Sequence, residues 1–364
     1  MNIGIDVNTL FNKITGQGVY LKNIILSLNY IDKVNNYFLY CNKDPNLDLN
    51  DNFKIIQIND NLSIRSKFEY IFYNIKNKID VFIITKSSDL LFFHPRTITI
   101  IYDAGPIILS KYYNVKQIKK FKTLFKLALR RSKKIITLSS IVKSFILNKY
   151  KINSNKIIKI PASVSRWTEN EVKNEDIKRV VIKYNLPENY FLFVGTLERR
   201  KNILNLVKAF YEFKKNDIYK FKLIIVGKIA YECKKVFKCI INKRLSHDVI
   251  FTGHIEEYDL KPIYVLSKAF VLPSFFEGSN ISILEAFACK IPVICSKKST
   301  LGEMLKNSYL EVDPKNINTI KNALYEISTD KYLSNILVKN SNEIKEKNKW
   351  NKSTKKLLKV INSI

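Results

Sequence analysis

The residues best placed to do chemistry gather between positions 273 and 296, in PSFFEGSNISILEAFACKIPVICS. Glu277 follows an apolar run that ends near Ser274, and Gly278, Ser279 and Asn280 have the composition of a turn. Ser282 and Glu285 stand at the Ser-x-x-Glu spacing of a capping box, which predicts a helix starting near Ser282. The amides of Asn280, Ile281 and Ser282 would then point out of a helix N-terminus, a ready site for an anion. Two carboxylates eight residues apart, Glu277 and Glu285, would flank it. The plainer alternative is that Glu285 only caps and Glu277 is a solvated turn residue.

A second stretch, FLFVGTLERRKNILNLVKAF (191–210), reads as a strand ending at Gly195 and a helix beginning near Ile203. Arg199, Arg200 and Lys201 lie between them. Cations at a strand end suit a diphosphate and would stabilise charge growing on a leaving group. An exposed basic turn is the competing explanation in a chain this basic. TGQGVY (15–20) places Gly16 and Gly18 where a tight turn would let backbone approach a ligand. It is not the six-residue dinucleotide fingerprint. In TIIYDAGP (99–106), Asp103 ends an apolar run, where it would either orient an acceptor hydroxyl or cap the next turn. His254, in VIFTGHIEEYDLKPIYVLSK (249–268), is expected to pack more than to catalyse.

These residues sit after short apolar runs: 2–7, 37–41, 53–58, 80–85, 97–103, 134–139 and 156–161, then 190–196, 222–227, 249–254, 269–274 and 292–296. The runs are continuous in Val, Ile and Phe, as in strands covered on both faces of a parallel sheet. Helix-length segments at 17–28, 113–132, 203–216 and 282–289 alternate with them. The pattern predicts an α/β fold of two doubly wound, Rossmann-like domains facing each other across a cleft, with ligands at the strands' carboxyl ends. The boundary is expected within 161–189, a stretch rich in Asn, Glu and Lys with no long apolar run. The expected domains are 1–165 and 166–350.

The stretch 273–296 resembles the signature of retaining GT-B glycosyltransferases of family four, the glycosyl transferases group 1 domain. Their pattern runs P-S-x-x-E-G-F-G-L-P-x-L-E-A-M-A-x-G-x-P-V-I-x-S. The resemblance implies that Glu277 contacts the donor sugar and Glu285 grips the ribose hydroxyls. Ser279, Asn280, Ser282 and Lys290 depart from the pattern. The 191–210 stretch is similar to the family's G-T-L-E-P-R-K-N, with Arg199 in place of Pro. That similarity implies Lys201 and Arg200 meet the diphosphate, and it leaves Thr196 where many members carry a second Arg after Gly195. TGQGVY resembles the family's T-G-I-G-R-Y, placing Gly18 across the cleft from the donor. Gly253 and His254 would lie beside the base, and Trp350 matches an aromatic before the last helix. The resemblance implies that 1–165 is the acceptor-side domain and 166–350 the nucleotide-sugar domain, with a helix about 351–364 returning to the first. Tyr102 stands where the family has His, next to Asp103.

The resemblance implies transfer of a hexose from a nucleotide-diphosphate sugar, mannose being the type suggested, to a glycan or lipid-linked acceptor with retention. No metal and no cofactor are expected, in keeping with the lack of an Asp-x-Asp motif in the sequence. The alternatives are a nucleotide-sugar epimerase or phosphorylase-like enzyme of the same fold, a degenerate member that binds donor without transfer, or a basic nucleic-acid binder. No helix-turn-helix, RNA-recognition or zinc pattern supports the last, so no nucleic-acid partner is expected.

Composition bears on partners. The 364 residues hold 62 basic and 32 acidic side chains, a net charge of +30. That excess points toward phosphate-rich surfaces, or toward a lysine-rich compositional bias. The segment 111–134 holds ten Lys or Arg and no acid, with Ile118, Phe121, Leu124, Phe125 and Ala128 on one helical stripe. Its stripe would pack on the sheet while its cations meet anionic lipid. The five scattered cysteines and the absence of a signal-like N-terminus suggest reduced, packed thiols. Together these features lead us to expect a cytoplasmic protein, peripheral at the inner face of a membrane.

Overall fold

The computed structural model describes residues 1–11, 16–58, 64–85, 94–229, 233–279, 281–296, 307–347 and 349–364. The chain divides into two compact units, Met1–Ser163 with Asn348–Ile364, and Val164–Lys347.

The first unit contains strands β1 (Asn2–Asp6), β2 (Asn36–Cys41), β3 (Phe53–Gln57), β4 (Val81–Ile84), β5 (Thr97–Ile101), β6 (Lys134–Thr137) and β7 (Ile157–Lys159). They form one sheet in the order β3-β2-β1-β4-β5-β6-β7, every pair parallel. Helices α1 (Gly16–Ile31), α2 (Ile64–Lys76), α3 (Gly105–Ile108), α4 (Val115–Arg131) and α5 (Ser140–Tyr150) lie between the strands. The β4 and β5 side chains are buried without alternation, as strands covered on both faces require. Gly4 permits close packing in β1, because a Cβ there would lie 2.5 Å from the Phe82 ring.

The second unit contains β8 (Tyr190–Val194), β9 (Lys222–Val226), β10 (Val249–Gly253), β11 (Ala269–Leu272), β12 (Val293–Ser296) and β13 (Leu310–Val312). Their order is β10-β9-β8-β11-β12-β13, again all parallel. Its helices are α6 (Asn174–Tyr184), α7 (Ile203–Lys214), α8 (Lys234–Asn242), α9 (Glu257–Val265), α10 (Ile281–Ala288), α11 (Ile317–Thr329) and α12 (Lys331–Lys347). Each unit is thus a parallel α/β sheet of the Rossmann-like kind expected. Both sheets reverse their strand order beside the first strand, β1 or β8. Carboxyl ends at such a reversal are where open α/β sheets bind ligands.

The division between the units, at Ser163 and Val164, falls within the stretch 161–189. The same stretch contains α6, which is held to α9 by a buried carboxylate: Asp259 accepts from Lys183 Nζ at 2.7 Å, from Tyr184 Oη at 2.8 Å and from Arg179. The five cysteines are free, and all but the half-buried Cys239 are buried.

The last helix, α13 (Trp350–Ile361), packs on α1 within the first unit. Trp350 is buried, with its ring edge-on to buried Tyr20 at 5.5 Å between centroids. Ser27 donates to Asn351 Oδ1 at 2.9 Å, and Ser353 donates to the Pro161 carbonyl at 2.8 Å. Truncating a buried aromatic costs roughly 3–5 kcal/mol. Trp350→Ala is therefore expected to move the denaturant midpoint of the unfolding transition sharply down. An unchanged midpoint by far-UV circular dichroism would show that α13 contributes little to the unit.

Candidate functional site

Four carboxyl-terminal strand ends of the second unit carry the site. After β8, Gly195 adopts φ +150° and its N–H donates to Val226 O at 2.9 Å. Gly227 (φ +139°) follows β9, where a Cβ would lie 2.2 Å from Gly195 O. Only glycine at 227 lets the two strand ends approach so closely. Thr196 and Glu198 lead from there into a 3-10 turn, Arg199–Lys201. Asn202 ends that turn in the left-handed region (φ 61°), and its side chain donates to the carbonyls of Pro273 (3.0 Å) and Pro314 (2.6 Å). This clamp ties the cationic turn to the loop after β11.

That loop carries Glu277, only 2 % exposed. Its Oε1 meets Lys201 Nζ at 2.8 Å and accepts from Ser274 Oγ at 2.7 Å; its Oε2 accepts from Arg200 Nη1 at 2.8 Å. Arg200 also donates through Nε to Glu198 at 2.8 Å and through Nη1 to the Phe276 carbonyl at 3.3 Å. Burial by itself pushes the Glu277 carboxyl up, but the Lys201 ammonium, the Arg200 guanidinium and the Lys201 and Ser274 hydrogen bonds hold it down at about 2. Glu277 is thus an ionised, buried residue and not a solvated turn residue.

Helix α10 begins four residues later, at Ile281, which is buried; Ser282 is half-buried in its first turn. Asn280 lies outside the described residues. The expected Ser282–Glu285 capping box does not form, because Ser282 is already inside the helix. Glu285 is instead buried (6 % exposed), its Oε1 accepting from Ser165 Oγ at 2.5 Å and its Oε2 from Tyr264 Oη at 3.2 Å. Burial pushes the Glu285 carboxyl up to about 7, with Glu257 adding to that effect and the Ser165 and Tyr264 hydrogen bonds opposing it. Glu285 would titrate near neutrality while Glu277 stays charged.

The remaining expected residues are placed as follows. Gly253 ends β10 at φ +72°, and its carbonyl accepts from Gly227 N–H at 2.8 Å. His254 does not pack in the interior; it is exposed, 3.7 Å from Glu256 Oε1. In the first unit, Gly18 is buried inside α1, so the glycines of TGQGVY open a helix, Thr15 being outside the described residues. Asp103 lies just before α3, with Oδ1 accepting from Gly105 N–H at 2.7 Å. Tyr102 is buried with its ring edge-on to Tyr20 at 5.7 Å.

Sequence reasoning missed Ser165, Tyr264 and Gly227. Tyr264 and Gly227 sit in or beside stretches already singled out. Ser165 is 120 residues from Glu285, and no local spacing points to it.

Residues 174–350 match the glycosyl transferases group 1 family model. O-antigen chain mannosyltransferase B of Escherichia coli is 26% identical over 226 residues, 62% of this chain and 59% of its own length. O-antigen chain mannosyltransferase RfbU of Salmonella typhimurium is 32% identical over 235 residues, 64% of this chain and 60% of its own. The match thus spans about three-fifths of each relative. In fold, the chain resembles Anabaena HepE solved with UDP-glucose, at TM-score 0.79 and 14% identity with both chains fully covered. The fold is that of the GT-B glycosyltransferases.

A carboxyl held above its ordinary 4.5 in the folded state stabilises the fold while protonated, and that stability is lost as pH rises from about 4.5 to about 7. Glu285→Gln is expected to flatten this fall in the difference between the two proteins' stabilities. Parallel stability–pH curves would show that Glu285 does not titrate in that window.

Proposed function

We propose that the protein transfers a hexosyl group from a nucleoside-diphosphate sugar to a glycan or lipid-linked acceptor, in synthesis of a surface polysaccharide. The observation that carries this reading is the Glu277 carboxylate buried between Arg200 and Lys201, at the mouth of α10. The donor diphosphate would sit against Arg200, Lys201 and the first amides of α10, which have no acceptor inside the helix. Gly195 and Thr196 would flank it, Gly253 and His254 would lie beside the base, and Glu285 would accept from the ribose hydroxyls. Glu277 would orient the sugar. Gly18 would contribute backbone to donor binding, and Asp103 would orient the acceptor hydroxyl.

Retention follows if the acceptor attacks on the face the leaving group departs from. The acceptor oxygen–C1 bond forms, the bond from C1 to the phosphate oxygen breaks, and that oxygen takes the acceptor's proton. Side-chain cations and the helix dipole, in place of a metal ion, carry the charge on the leaving diphosphate. The names of the O-antigen relatives favour a mannose-type donor, whereas the HepE neighbour was solved with UDP-glucose. Thermal-shift screening against both classes of donor decides between them, since a bound donor raises the midpoint by mass action.

Glu277→Gln keeps the side chain's volume but removes the charge that positions both cations. Loss of one such group from a transition-state site costs on the order of 100- to 1,000-fold in turnover. Transfer to acceptor, assayed with the donor the screen selects, should fall by that factor while the protein stays folded; undiminished transfer would refute the assignment.

A peripheral position on an anionic membrane is part of the same proposal. Among the described residues no helix is long and apolar enough to cross a membrane. Helix α4 packs Phe125, Ala128 and Leu129 inward and turns its lysines out. Helix α2 leaves Phe68, Ile71, Phe72 and Ile75 exposed at i, i+3, i+4 and i+7. An apolar helical face on a basic protein suits an anionic lipid surface. Flotation with phosphatidylglycerol vesicles is expected to carry the protein, and Phe72→Ser/Ile75→Ser to weaken it. Equal flotation with phosphatidylcholine, or none with either, would remove the membrane from the reading.

A further inference from the structure

The first unit holds a large groove at the opposite end of its sheet from Tyr102 and Asp103. It measures about 940 Å³ and is lined by Arg130, Arg131, Lys133, Lys134 and Lys156, with no acidic side chain among its described lining residues. The topology explains the convergence. Lys134 opens β6, Lys156 immediately precedes β7, and Pro95, also in the lining, lies just before β5. In a parallel sheet the beginnings of neighbouring strands lie side by side, about 4.8 Å apart. Three chain segments therefore bring their polar ends to one edge, where α4 also terminates.

Two of the cations are pinned. Lys156 Nζ donates to the carbonyls of Leu129 (2.7 Å) and Arg130 (3.1 Å), closing the C-terminal end of α4. Lys134 Nζ donates to Asn155 O at 3.0 Å. One lysine is enough for the exposed carbonyls of a helix end. Arg130 and Lys133 add like charge, and no carboxylate lies among the described lining residues. Burial, and then the neighbouring Lys133 ammonium, push the Lys156 amine below its ordinary value, so the repulsion is felt at the groove. An oxyanion bound there would relieve it. The volume lies at the upper end of the range for small-ligand sites, and guanidinium with ammonium groups suits phosphate oxygens.

We propose that this groove binds a phosphoryl group, as a free phosphate or diphosphate ester or as a lipid headgroup. The site is separate from the Glu277 cluster, which belongs to the other unit, and it stands whether or not the chain is a transferase.

The test compares the full chain with two variants that remove equal charge. Arg130→Gln/Lys133→Gln alters the groove, and Lys355→Gln/Lys356→Gln alters exposed positions on α13. Each is titrated with inorganic pyrophosphate by calorimetry and floated with phosphatidylglycerol vesicles. Pyrophosphate bound elsewhere is common to all three proteins and cancels. The groove variant is expected to lose about tenfold or more in affinity and the control pair less than about twofold. Selective loss for pyrophosphate identifies a free phosphoryl ligand; selective loss only for vesicles identifies a headgroup. Equal loss in both variants, or loss in neither, would overturn the proposal and leave a diffuse basic surface.

Discussion

A carboxylate with 2 % of its surface exposed is tolerated only if its charge is met. Glu277 meets that demand with two cations and a hydroxyl, and much of the second unit's geometry serves to hold them there. Lys201 and Arg200 sit on a 3-10 turn whose start is fixed by the Gly195–Gly227 approach and whose end is fixed by Asn202. Removing either support would release the cations before it touched the carboxylate. The Phe275 N–H, donating to Arg200 O at 2.8 Å, closes the same assembly through backbone. The cluster is thus rigid before any ligand arrives, so little reorganisation remains to be done when an anion binds.

Glu277 and Glu285 lie eight residues apart, and the fold moves their acidities in opposite directions. Both carboxyls are buried, so burial raises both. Only Glu277 has cations in contact, and they reverse the effect. Glu285 has hydroxyl donors alone, which are too weak to do so. Environments that push two carboxyls apart give them different tasks. One stays a fixed charge. The other can give up its proton when hydroxyl donors of a ligand replace those of Ser165 and Tyr264.

Where one physical signal dominated, the sequence was enough to locate the element. The continuous apolar runs marked twelve strands, most of them buried on both faces, although the edge strand β3 is largely exposed; among the described strands only β13, three residues with Glu311 in the middle, lacked such a run. Helix α6 was hidden because its anchoring is polar: Arg179, Lys183 and Tyr184 reach Asp259, some 75 to 80 residues away. The capping-box spacing at Ser282 and Glu285 misplaced the helix start by one residue: α10 opens at Ile281, which leaves Ser282 inside it, and Glu285 turns to Ser165 and Tyr264. The cationic turn and Glu277 were read separately; their ion pairs depend on two strand ends meeting, which local patterns do not encode.

The net charge of +30 illustrates how little a total says about placement. Arg200 and Lys201 are neutralised inside a site, and Arg179 and Lys183 tie a helix to its neighbour. Lys156 closes a helix end. Each of these cations has a defined oxygen partner, and each would be hard to move without loss of structure. The lysines along α4 differ, because the buried side of that helix is occupied by Phe125, Ala128 and Leu129 and its first turn is capped by Asn114. The helix therefore stands without help from its charges. Residues that a fold does not need for its own stability can be spent on an external anion, and it is in the region around α4 and the adjoining groove that this chain accumulates them.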